Sequence, residues 1–148
     1  MDRTGHPASS FYRDSMPAFV VTIAQQAARS EPFFVVAQNG EGLLVSHDAS
    51  ETGSITAYAD ALAGVGREDL FYGYEAEDRA TPSTVTPHWL DRLDRAEARG
   101  IEILAIDYCT DNDAVAASYE QSAAHAFVAL AHLDENSTRF QPPIRSDG

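Results

Sequence analysis

The sequence predicts an α/β fold built on four parallel strands, and three observations carry that reading. Four short runs of β-branched, aromatic and aliphatic residues are too brief for buried helices. Stretches with apolar residues at helical spacing separate them. Each run also finishes in polar residues. Strict α-β alternation places consecutive strands parallel, joined by right-handed crossovers. The 148 residues suffice for one domain with a core of its own.

Residues 15–29, "SMPAFVVTIAQQAAR", place Phe19, Val20, Ile23, Ala24 and Ala27 on one side of a helix. Ser15 is the expected cap and Pro17 fits a first turn. Pro32 stops the helix, and "FFVVA" follows as a buried strand over 33–38. "SITAYADALA" is a short helix. "GVGREDLFY" supplies a second strand over 65–71, and 73–86 is a polar loop. In 87–99, Trp89, Leu90, Leu93 and Ala96 form one helical face, and Gly100 ends it. "IEILAIDYC" is the clearest strand, over 101–107. A helix capped by Asp113 precedes the fourth strand, 126–132. The domain spans 15–133, with 1–14 a flexible N-terminal segment and 134–148 a polar, Pro-containing tail.

The chain carries 23 acidic and 10 basic side chains for a net charge of −13, and every basic residue is Arg. Phosphate recognition needs clustered cations, so nucleic acid is excluded as an expected partner, and so is an anionic membrane surface. High acidity without Lys predicts adaptation to high salt, where surface carboxylates keep a chain soluble. Cys109 is the only cysteine, so no intrachain disulfide forms, and its place after an apolar run reads as a small buried hydrophobe. The five His lack metal-ligand spacing, and no Gly-rich phosphate loop or nucleophile elbow occurs. No cofactor is expected. The first residues lack the apolar segment of a signal peptide, which leaves localisation open.

In parallel α/β folds, binding groups gather at the carboxyl ends of strands. Those ends hold Gln38, Asn39 and Glu41; Glu68, Asp69 and Tyr72; Asp107 and Tyr108; and His132 and Asp134. All can hydrogen-bond a polyol or move a proton. Each also has a plainer reading: Asn39-Gly40 as a turn, Glu68-Asp69 as a solvated pair, Asp107 as a loop cap. Adjacent strand residues face opposite ways, so Glu68 and Asp69 should diverge.

Taken in order, "FFVVAQNGEGLL", "GVGREDLFYG", "LDRAEARGIEILAIDYC" and "AFVALAHL" resemble the second half of the glycoside hydrolase family 114 domain, that of endo-α-1,4-polygalactosaminidase-like proteins. The resemblance covers residues 16–133. It implies a partial (β/α)8 TIM barrel, roughly strands five to eight, and acidic groups suited to an amino-sugar polysaccharide. It implies Glu68 as a catalytic carboxyl and Gln38, Asn39, Glu41, Tyr72, Asp107 and Tyr108 as substrate-binding residues. Members of that family are mostly secreted. Their fourth strand carries an Asp in a DGxxLD motif that is thought to partner this Glu, and no DGxxLD occurs here. Glycosidic cleavage normally uses two carboxyls flanking the bond, so the chain alone is expected to be inactive. The alternatives are a non-catalytic half-barrel that binds polysaccharide, and a structural domain without ligand. Four barrel strands leave two edges and one face open, which implies a homodimer or a complementary half-barrel chain as partner.

Overall fold

The computed structural model describes residues 8–29, 32–45 and 52–131. Helix α1 (Ala8–Ala27) leads into β1 (Val36–Gln38), a 3-10 turn (Glu41–Leu44) and α2 (Thr52–Ala61). Then come β2 (Gly64–Glu68), α3 (Thr86–Glu97), β3 (Glu102–Ile106), α4 (Asn112–Ala124) and β4 (Val128–Leu130). The sheet is parallel throughout, in the order β1-β2-β3-β4. Fold class, strand direction and strand order follow the alternation in the sequence.

The ladder is staggered. Gln38 stands opposite Gly66, Gly66 opposite Leu104, and Leu104 opposite Val128, so β1 ends at the level where β4 begins. Alternation along the strands then sorts side chains onto two faces. Val65, Ile103 and Ala105 point into the core, where α2 supplies Tyr58 and Ala59, Leu62 follows just after that helix, and α3 supplies Trp89, Leu93 and Ala96. A smaller cluster of Cys109, Ala114 and Ala131 packs under α4, the buried hydrophobic role expected of Cys109. The opposite face holds Val36 and Val128, each 50% exposed, with Leu104, Ile106 and Leu130 half-buried between.

Several boundaries differ from the sequence reading. Helix α1 starts at Ala8, so Ser15 is not a cap and residues 8–14 are helical. Pro17 lies inside the helix. An interior proline removes one helical hydrogen bond; Pro17 itself is buried. "FFVVA" is not a buried strand: Phe33 and Phe34 are 51% and 76% exposed, and pairing starts at Val36. The run leads into an edge strand rather than a central one. Strand β2 stops at Glu68 because Asp69 turns to φ 56, and Leu70 and Phe71 drop into the core. The cap of α4 is Asp111 rather than Asp113. Its side chain accepts from the Asp113 and Ala114 amides at 3.0 and 3.1 Å. His132, Asp134 and the tail lie outside the described residues.

Candidate functional site

Glu68 ends β2 on the open face, opposite in parity to Val65 and Arg67. Its carboxylate collects donors from two neighbouring strands. The Tyr108 hydroxyl donates to Oε1 at 2.8 Å and the Asn39 amide to Oε2 at 2.9 Å. A second bond from Asn39 fixes the pair: its Oδ1 accepts from the Glu68 backbone N–H at 3.1 Å. The Tyr108 hydroxyl does most to hold the Glu68 carboxyl below its usual range, opposed by partial burial and aided by Asn39, Gln38 and the nearby Arg67 charge. Glu68 is therefore a carboxylate at neutral pH.

Local backbone makes this cluster possible. Asn39 adopts φ 52, so it serves as the turn residue that Asn-Gly suggests while its amide reaches back to Glu68. Gly66 leaves the room that Gln38 fills, since a Cβ there would collide with Gln38 Oε1. Gly73, at φ +115, lets the chain pass close to Asp69 and Tyr108; a Cβ on it would lie 2.7 Å from Asp69 Oδ1 and 3.1 Å from Tyr108 Cβ. The Thr81 hydroxyl donates to the Asp69 carbonyl at 2.7 Å and the Thr86 hydroxyl to that of Leu70 at 3.2 Å, which anchors the segment after β2. Asp78 ties the same loop to the start of α4 by accepting from the Thr110 and Asp111 amides, which also keep its carboxyl below the usual range. A cleft of about 570 Å³ opens beside the cluster, walled by Gln38, Asn39, Met16, Val20, Leu43 and Tyr58.

Of the seven residues singled out from the sequence, Gln38, Asn39, Glu68 and Tyr108 converge. The other three do not join them on the open face. Asp107 is fully buried and points to the helix side, where it accepts from the Phe71 amide at 2.9 Å and the Ser118 hydroxyl at 2.6 Å. Burial pushes its carboxyl above the usual range, against the pull of Ser118 and the Phe71, Tyr72 and Leu70 amides. A group without solvent access organises the loop after β2 rather than a ligand. Glu41 is 3% exposed and pairs with Arg67 at 3.2 Å, again behind the sheet. The 3-10 turn after Gly40 carries its side chain inward. Tyr72 packs between the two core clusters and bridges to Ala80. Asp69 has left the strand, so the alternation rule does not govern its direction.

Arg67 escaped the sequence reading. Its guanidinium lies 3.4 Å from the Trp89 ring centroid and pairs with Glu41, and both groups are largely buried. The signal was available: in "GVGREDL" Arg67 has the parity of Val65, which commits it to the helix side. Among the described residues, Arg67 Nε and Glu41 Oε2 each lack a hydrogen-bond partner. Burial, with a smaller contribution from the Glu41 charge, raises the Tyr58 hydroxyl pKa. No protein-family model matches the chain, and no curated protein matches it.

Proposed function

We propose that this chain is a glycoside hydrolase-like domain related to endo-α-1,4-polygalactosaminidases. In this reading it recognises a galactosamine-containing polysaccharide at the carboxyl ends of β1, β2 and β3. The observation that carries the proposal is the convergence of Gln38, Asn39 and Tyr108 on an ionised Glu68 at the open face. The staggered parallel sheet with helices on one side is compatible with part of a barrel. An ionised carboxylate ringed by hydroxyl and amide donors suits a protonated amino sugar: it pairs with the ammonium, and its neighbours bond the hydroxyls.

The lowered pKa of Glu68 supports one part for it over another. A carboxyl held below its usual range is better suited to binding a cation or facing a positive anomeric carbon than to donating a proton to a leaving oxygen. Asp107 has a raised pKa but no solvent access, so it is not the donor either. That favours the second reading, binding without turnover by the single chain, until another carboxyl is supplied. Titration calorimetry with α-1,4-galactosamine oligomers, alongside an assay of reducing-end release, tests the proposal. Binding should weaken about tenfold in Glu68→Gln, the loss of one charge-assisted contact, with little hydrolysis by either protein. Absence of binding by the unaltered chain, or binding indifferent to Glu68→Gln, would defeat it.

A further inference from the structure

The geometry points to a second copy of this chain as the cover of the open face, its β4 edge laid against β1 and its own Glu68 brought into the same site. The inference deepens the proposed function by naming the source of the second carboxyl.

Among the described residues, β1 and β4 each pair on one side only, run the same way, and hold three residues. The unused edge of β4 therefore suits the unused edge of β1 in another copy, in the same parallel sense. The ladder already climbs by two residues from β1 to β4. Stagger of the hydrogen-bond register is what closure of a sheet requires. Four strands and four strands make eight, the number whose interior side chains just fill.

Chemistry selects this face. The surface is strongly acidic, with net charge −13, so most patches repel a second copy. Along the open face Glu102 and Glu68 mark the two ends, and every strand position between them is uncharged. Most of the exposed large apolar groups belong to α1, the approach to β1, and the edge strands. Met16, Phe19 and Ile23 lie at helical spacing on α1, Phe33 and Phe34 lead into β1, and Val128 stands on β4. One chain thus carries both sides of the contact, which a two-fold axis uses twice. In an eight-stranded ring with that axis at its centre, each strand faces its own copy. Strand β2 faces β2, and Glu68 faces Glu68 across the axis. Two carboxyls then share a site in which a single chain places one.

Light scattering after size-exclusion chromatography at about 100 μM protein in 2 M KCl tests the contact. The expected mass is twice the 16.0 kDa of the chain. Val128→Asp and Val36→Asp, both at half-exposed positions, should each yield a monomer with an unchanged circular dichroism spectrum. Sedimentation equilibrium at pH 8 tests the site: Glu68→Gln removes two facing charges and should tighten the dimer about tenfold or more. A monomer under these conditions overturns the inference and assigns the face to a different chain or segment. A dimer that survives both Asp variants, or whose affinity ignores Glu68→Gln, overturns it as well. Sugar binding reads out separately. A monomer that binds the oligomers leaves the proposed function standing, whereas a dimer that fits every expectation and binds none removes only that function.

Discussion

Tyr108 and Glu68, 40 residues apart in sequence, meet through a hydroxyl-to-carboxylate bond of 2.8 Å at the tips of adjacent strands. That bond is the largest influence holding the Glu68 carboxyl below its usual range. Tyr108→Phe should therefore raise the Glu68 pKa toward the ordinary value, read as the titration of its side-chain carboxyl carbon by NMR. A carboxyl with a depressed folded pKa stabilises the fold above its unfolded value and loses that contribution as pH falls through the folded one. The variant should be destabilised by about 1 kcal/mol at pH 7 and show a shallower loss of stability on acidification. A titration unmoved by Tyr108→Phe would remove Tyr108 from the site.

Arg67 and Glu41 make the second testable pair. Both side chains are largely buried, and each has an atom without a hydrogen-bond partner among the described residues. Removing one member of such a pair strands the other charge at a cost of about 3–5 kcal/mol. Replacing both with apolar groups is often neutral or better. Glu41→Leu alone should be severely destabilising in urea unfolding, while Glu41→Leu with Arg67→Met should recover most of the loss. Equal stability of the single and double variants would show that the ion pair matters less than the space it fills.

Asp107 anchors the turn that follows β2. Asp107→Ala strands the Phe71 amide and the Ser118 hydroxyl, at about 1–3 kcal/mol for each buried group left unpaired. Asp107→Asn keeps an acceptor for one of them and should cost less. The pH signature has the opposite sign to that of Glu68. Burial raises the folded pKa of Asp107, so its ionisation is disfavoured in the fold, and stability declines as pH rises from its unfolded value through the folded one. Asp107→Asn should flatten that decline in a series of urea melts. An unchanged pH profile would mean that Asp107 ionises in the fold as easily as out of it.

How much was legible depended on whether the signal was local. Alternating periodicity gave strand order and direction, because each βα unit announces itself within about thirty residues. Convergence of Gln38, Asn39, Glu68 and Tyr108 followed from their common place at strand ends. Depth was not legible. Asp107 and Tyr108 are neighbours just past the end of β3 with opposite fates, one fully buried and one bonded to Glu68. Glu41 was misplaced because the 3-10 turn rotates it inward, and "EGLL" carries no mark of that turn. Phe33 and Phe34 looked like core because hydrophobicity alone does not distinguish a central strand from the approach to an edge strand.

Salt dependence is the last expectation, and it rests on charge alone. With 23 acidic side chains against 10 Arg, the folded chain concentrates negative charge that the unfolded chain spreads out. At about 0.1 M salt the Debye length is ~10 Å, long enough for neighbouring surface carboxylates to repel; near 1 M it is ~3 Å. The described ion pairs Arg79–Glu75 and Arg95–Asp91 are exposed, so screening them costs little. The pair that screening hardly reaches, Arg67–Glu41, is buried. Repulsion therefore weakens more than attraction as salt rises, and the melting temperature should climb between 0.1 and 2 M KCl. Val128→Asp separates this effect from association: a monomeric variant should climb too, though from a lower start. A melting temperature that stays flat or falls with KCl in both proteins would count against acidic adaptation to salt and against self-repulsion as a control on this fold.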